Sequence, residues 1–392
     1  MEWHLHAPVN VALLSGTGPT RLHLVAPEMA LANATGLVSL LGRYGRNLPM
    51  NQRFSLTRLA RIAATAAAVT ASGALGAAAQ DSVTLKFGSF VGPTSFLNAK
   101  LFTEWFAKIE DESEGTLKIE FVTGGASAKP QEVFDAVRAG IIDMGWSITS
   151  YNPGRFDAAG VVELPLLANG AEESSVAMAG LYEQGLFDGM DSVKVLGLAT
   201  ADIARLHHSA DVDGLSDFNG AKIRAAGGVL SAMIEEVGGV PVGIPAPSMA
   251  ESLAKNVVDA SANDWFALDG FKLIDVTKTH VDISLGTTGV YLVMNKSSFD
   301  KLPEAAKAAI DNNPPMDFAK HWGSNLEVES QRVRELVAGL DDHTIITPTE
   351  ADLASWQVAA DKVIADWLEN TEGGADILQA YKDNLGAHRA GQ

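Results

Sequence analysis

Two basic side chains share one face of the short apolar run Ala221 to Ala226, which ends at Gly227 and Gly228. Alternation along a strand places Lys222 and Arg224 together, with Ile223 and Ala225 on the opposite face. A guanidinium offers a planar fork that fits both oxygens of a carboxylate and stays charged at any physiological pH. At a strand end beside glycines it can meet an anion in the crevice at the carboxyl ends of strands. The same arginine could also serve an internal ion pair with one of the many acidic residues. Residue type alone leaves that choice open.

Other chemistry is sparse. There is no Walker A loop, no G-x-G-x-x-G after a strand, no H-E-x-x-H and no G-x-S-x-G. His207 and His208 are adjacent, so on a strand they face apart and do not share a metal. The pair His4 and His6 is weak as a metal site, and Asp341-Asp342 reads as a solvated face. With no Cys there is no disulfide, thiolate site or Cys nucleophile. No catalytic residue, cofactor or metal is assigned, and the chain is expected not to be an enzyme.

The 392 residues carry 29 Lys+Arg and 48 Asp+Glu, a formal net charge of −19, which disfavours nucleic acid and anionic membrane surfaces as partners. Arg53, Arg58 and Arg61 precede an Ala/Val/Ile-rich run from Ile62. Ala77 and Ala79 then form an A-x-A cleavage site before Gln80. Residues 50–79 thus read as a Sec signal peptide, without a twin arginine, and residues 1–49 as a non-native extension ahead of a true start at Met50. Six Lys/Arg and two Asp/Glu precede Gln80, which leaves 23 against 46 in the mature chain. The expectation is a strongly acidic periplasmic protein with no spanning segment.

The elements that must position Arg224 alternate between strand and helix. "VTLKFGSF" alternates as a strand, and Leu97, Leu101 and Trp105 mark a helix. "TLKIEFV", "IIDMGWS", "VKVLGLA" and "ARLHHSA" read as further strands. "AKIRAA" leads to the helix "VLSAMIEEVG", and "VVDASAND" follows as a turn. A helix from about Met316 to Leu340 would be roughly 36 Å long, enough to cross two small lobes. Thr347-Pro348-x-Glu350 is expected to cap the C-terminal helix. The class is α/β with mixed sheets. No flexible linker or repeat appears, so two lobes must be joined by strand crossings.

The order of "LKFGSF", "EGTLKIEFVTGG", "EVFDAVRAGIIDMG", "FNGAKIR", "VVDASANDW" and "GVYLVMNKSSFDKLPEAAKAAI" resembles the solute-binding proteins of tripartite ATP-independent periplasmic (TRAP) transporters, the DctP-like family. The resemblance runs from about Val83 to the C-terminus. It implies a two-lobed periplasmic binding protein with a cleft between lobes and a long helix spanning both. The lobes are expected at residues 80–203 with 289–328, and at 204–288 with 329–392. It implies an organic-acid ligand held by its carboxylate, with Arg224 as the clamp, Asn263 adding an N–H donor, and Arg205 as a further basic contact. The implied partners are the small and large integral membrane subunits of the transporter. The receptor itself is expected to be a monomer.

The departures from the family pattern bear on the ligand. Phe90 follows "FGS" and Trp146 follows "DMG". Ala262 stands where an acidic residue is usual, and Asp264, Trp265 and Phe266 follow Asn263. Phe90 and Trp265 are expected in the cleft, while Trp146 and Phe266 read as cleft wall or core alike. Ser147, Tyr151 and Thr287 are candidate polar contacts. One carboxylate clamp with an aromatic wall suits an aromatic or apolar monocarboxylate, or a 2-oxo acid. The alternatives are a C4-dicarboxylate or sugar-acid receptor, a periplasmic ligand sensor, and a secreted lyase or hydrolase on an α/β scaffold.

Overall fold

The computed structural model of the protein describes residues 82–391. The signal peptide and extension expected before Gln80 lie outside the described residues. The strands are β1 (Val83–Gly88), β2 (Leu117–Val122), β3 (Met144–Ile148), β4 (Lys194–Thr200), β5 (Arg205–His208), β6 (Lys222–Ala225), β7 (Val240–Gly243), β8 (Ala260–Asn263), β9 (Thr279–Val281), β10 (Gly289–Met294) and β11 (Thr344–Ile346). They form two mixed sheets, in the orders β2-β1-β3-β10-β4 and β11-β9-β5-β8-β6-β7.

The alternation of β1 sends Leu85 and Phe87 inward and Thr84 and Lys86 outward. β1 runs parallel to β2 and β3, whereas β10 enters antiparallel between β3 and β4 and is buried along its whole length. In the second sheet β6 is parallel to both β7 and β8, while β5 is antiparallel to β8 and β9. The chain passes between the sheets after β4, after β9 and again before β11, so no single linker joins them.

The helix Pro315–Ala338 has 24 residues and begins with proline at its first turn. Phe318, Trp322 and Leu326 of this helix join the core beside β1 and β10, while Val333 and Val337 join the core with Met249 and Leu268 near the second sheet. One helix therefore tethers both halves, as its length from sequence predicts.

Three expectations change. "VVDASAND" is not a turn: its middle is strand β8, and the turn is displaced to Asp264, whose carboxylate accepts from the Ala267 N–H at 2.8 Å and caps the helix Trp265–Gly270. The helix Glu350–Asn370 is capped by Thr349 with Asp352, not from Thr347. Pro348 lacks the N–H and stays outside the helix. Finally, helix Gly374–Arg389 does not belong with the second sheet. Its Ile377, Tyr381 and Leu385 bury into the core that contains Phe134 and Leu181, against helix Ala171–Glu183. Apolar burial at helical spacing looks alike for either half, so the sequence pattern does not choose the partner.

Candidate ligand-binding site

Arg224 lies in the middle of the second sheet's parallel ladder, opposite Val242 on one side and Ser261 on the other. The strand ends one residue later, at Ala225, and Gly227 then passes close to Glu163: a Cβ there would sit 2.6 Å from the Glu163 carboxylate. That approach brings the start of helix Gly228–Glu236 against residues of the first half. The Glu163 carboxyl lies against Ser150 and the first N–H groups of that helix, and burial pushes it up to about 7.

The Arg224 side chain is 3% exposed. Its Nε donates to the Ile244 carbonyl at 2.7 Å, Nη1 to the Ala262 carbonyl at 3.1 Å, and Nη2 to the Tyr151 hydroxyl at 3.4 Å. All three partners are neutral, and Arg224 makes no ion pair among the described residues. A guanidinium has five N–H donors. Two remain, one on each Nη, which is the arrangement a carboxylate can bridge. Burial holds the guanidinium below its usual value, as expected for a cation removed from water with no counter-charge in contact. Tyr151 is pinned in turn by the Ala246 N–H at 2.8 Å, so it holds Arg224 in place.

A cavity of about 660 Å³ of empty space, counting its mouth, opens in front of this group. It draws residues from both sheets and from the long helix: Trp146, Val290 and Trp322 on one side, Arg224, Asn263 and Phe266 on the other. Its wall is mainly apolar. Phe90 stacks on Trp146 at 4.3 Å between ring centroids and 29° between planes, and Trp146 Nε1 donates to Ser89 Oγ at 2.9 Å. The stacking and the hydrogen bond thus orient the Phe90 and Trp146 rings at the cavity wall.

Asn263 lines the cavity at the end of β8. Its Nδ2 donates to the Asp264 carbonyl at 2.8 Å, which sets the amide orientation. The atom left buried without any partner is the acceptor Oδ1, while the Asp264 carbonyl uses one of the two Nδ2 hydrogens. Behind it, His207 Nε2 meets the Asn263 carbonyl at 3.0 Å, His207 Nδ1 meets His280 Nδ1 at 2.8 Å, and His280 Nε2 meets His343 Nδ1 at 2.9 Å. Burial pulls His207 down to about 3 and His280 to about 2, so both are neutral at pH 7. A carbonyl at the inner end requires His207 Nε2 to donate. Each neutral imidazole has one donor, so His280 must donate to His207 and His343 to His280. His207 and His208 do face apart, but this three-imidazole chain is invisible in sequence because its members lie on β5, β9 and the segment before β11.

The other expected residues divide. Phe90 and Trp146 line the cavity, and so does Phe266. Arg205 is not in it: Nε donates to Asp282 Oδ1 at 2.7 Å, and Arg334 bonds the other oxygen of the same carboxylate at 3.0 Å. Trp265 points away from it, between His207 and His280 with the Arg334 guanidinium over its ring at 5.8 Å. The strand ends at Asn263, and helical geometry then turns residue 265 away and residue 266 inward. Ser147 is consumed by the Pro130 carbonyl at 2.7 Å, and Thr287 by the Ala201 carbonyl at 2.7 Å. Tyr151 reaches the site only through Arg224. Asp202 and Asp264 also line the cavity and were not anticipated. The unusual residue after Asn263 was the one signal for Asp264; Asp202 gave none.

The family model described as bacterial extracellular solute-binding protein, family 7 (DctP), matches residues 87–370. The chain belongs to this family. It is a transport receptor family, so the chain is a TRAP-type solute-binding protein and not an enzyme. A curated relative, named outer membrane transporter protein TsaT of Comamonas testosteroni, is 25% identical over 334 residues, covering 82% of this chain and 97% of that one. Among solved structures, a marine metagenome TRAP solute-binding protein specific for aromatic acids, in complex with 3-hydroxybenzoate, is 30% identical with a TM-score of 0.74 and covers 78% of this chain and 98% of that one. A TRAP solute-binding protein from Rhodoferax ferrireducens T118, with copurified benzoate, is 25% identical with a TM-score of 0.74, covering 79% and 99%. The two-lobed α/β architecture of these receptors is the fold seen here. No helix among the described residues is long and apolar enough to cross a membrane.

Proposed function

We propose that this receptor captures an aromatic monocarboxylate in the periplasm and delivers it to the small and large membrane subunits of a TRAP permease. The observation that carries the reading is the pair of unused Arg224 N–H groups at one end of a cavity walled by Phe90, Trp146 and Phe266. A carboxylate on that fork restores the missing counter-charge, and a ring fills the apolar volume. A sugar acid needs many more polar partners than this wall offers, and short 2-oxo acids such as pyruvate are too small to use the whole stack. The aromatic acids held by two relatives support the same choice.

The mechanism is capture by closure. The two sheets act as lobes, and a ligand touching residues of both stabilises the closed arrangement. Micromolar affinity requires about 8 kcal/mol, within reach of one buried carboxylate–arginine pair and the burial of one ring. The receptor acts as a monomer, exported by the Sec route with cleavage near Ala79.

Calorimetric titration with benzoate, phenylacetate, pyruvate, succinate and glucuronate tests the ligand class. Micromolar or tighter binding of the aromatic acids, with the others at least tenfold weaker, is expected. Tighter binding of succinate or glucuronate would overturn it. Mass spectrometry of the exported chain should find its N-terminus at Gln80.

A further inference from the structure

The polar end of the cavity holds more acceptors than a plain carboxylate can use. Asp202 and Asp264 line it together with Arg224, and Asn263 Oδ1 is buried there without a partner. The Asn263 residue is only 7% exposed, so water does not reach that oxygen freely. Asp264 is largely committed: Oδ1 takes the Ala267 N–H at 2.8 Å and Oδ2 takes the Asp202 N–H at 3.1 Å. Asp202 is different. The residue keeps some exposure, but its carboxyl is largely removed from water where it borders the cavity, beside Ser330 and the Ile203 N–H. A second carboxylate beside a ligand carboxylate repels it unless something between them donates a hydrogen.

Resting on the aromatic-acid reading above, we propose that Asp202 and Asn263 Oδ1 form a donor-reading subsite that selects aromatic acids carrying a ring O–H or N–H over the unsubstituted acid. The ligand carboxylate lies on the Arg224 fork. Its ring lies along the Phe90–Trp146 stack, and its hydroxyl or amino group donates to the Asp202 carboxylate. A buried acceptor left unmet discriminates more strongly than apolar contact does. A site built to hydrogen-bond a hydroxyl rejects the analogue lacking it by roughly tenfold or more. Asp202 and Asp264 are neighbours in space, so a ligand carboxylate that brings no donor is set beside two carboxyl groups. Burial pushes Asp202 up to about 6, so at pH 8 it is ionised and can only accept.

The test is calorimetric titration at pH 8 with benzoate, 3- and 4-hydroxybenzoate and the two corresponding methoxybenzoates, on the wild-type chain and on Asp202→Ala and Asp202→Asn. At least one hydroxybenzoate should bind the wild type tenfold or more tightly than both benzoate and its own methoxy counterpart. In Asp202→Ala that advantage should fall below about threefold while benzoate still binds, which also shows that the variant is folded. If the alanine variant does not fold, Asp202→Asn, which keeps the shape but loses the charge, should shrink the advantage at least threefold. Equal binding of benzoate and both hydroxybenzoates by the wild type overturns the subsite, as does an advantage that survives the substitutions. Failure of every aromatic acid to bind the wild type overturns the aromatic-acid reading itself, and this inference with it.

Discussion

Arg224 and Arg205 are both arginines of the second sheet, on strands that flank β8, and both were expected at the ligand. Arg224 is held by two carbonyls and a phenol, with its charge unmatched. Arg205 sits against Asp282, which it shares with Arg334. One cation is positioned by neutral groups; the other is ion-paired and becomes part of the framework. The difference shows that a binding arginine is recognised by the kind of atoms that hold it, not by its place on a strand.

Buried carboxyls repeat the contrast. Burial raises Glu173, but its bonds to Arg389 more than offset this and leave it below its usual value. Glu163 has no such cation and is pushed up to about 7. Arg224 and Glu163 each lack a salt bridge among the described residues, whereas Arg205 and Glu173 each have one.

The largest effect expected of any single change is at Arg224. Arg224→Ala should weaken benzoate binding by about a thousandfold, on the order of 4 kcal/mol, because a desolvated carboxylate loses its only cation. Calorimetry showing a loss under tenfold would remove the distinction between the two arginines. Arg205→Ala should do the opposite: it should lower unfolding free energy by about 1–3 kcal/mol, through the half-broken Asp282 cluster, and leave benzoate affinity within about threefold. Denaturant melts and titration on the same sample separate the two effects, and a lost affinity would return Arg205 to the site.

Phe90→Leu removes the ring stacked on Trp146 but keeps an apolar side chain. Benzoate affinity should fall about five- to tenfold, in line with the roughly 1 kcal/mol of an aromatic pair, with pyruvate unaffected. An equal loss for both acids would mean the wall does not read rings. The smallest effect concerns pH. The Glu163 pKa is raised from 4.5 to about 7 in the folded chain. The native state therefore keeps a proton that the unfolded chain has already lost, and the contribution of this group to stability falls as pH rises from about 4.5 to 7. Glu163→Gln should lose fewer degrees of Tm between pH 5 and pH 8 than the wild type does, by scanning calorimetry. An identical loss would mean Glu163 has a cation partner after all.

Much of the framework was legible because it depends on local pattern. The alternation of "VTLKFG", the glycine stop after "AKIRAA" and the length of helix Pro315–Ala338 each follow from side-chain period and backbone freedom. Phe90 was expected in the cleft because it departs from the family pattern, whereas Trp146, in the middle of β3, read as cleft wall or core alike. Trp265 was misplaced by a single residue: a strand ending at Asn263 hands over to a helix, and the period changes from two to 3.6 just where the choice of face matters.

By itself, then, the sequence determined the class of the fold, the family resemblance and the presence of a guanidinium at a strand end. Only the tertiary structure decided which arginine is free, which rings line the cavity, and that Asp202 and Asp264 stand there too. The reason is range. Secondary structure follows from neighbours within a few residues, whereas the charge state of a site follows from partners such as Arg205 with Asp282 or Arg224 with Tyr151, separated by 77 and 73 residues.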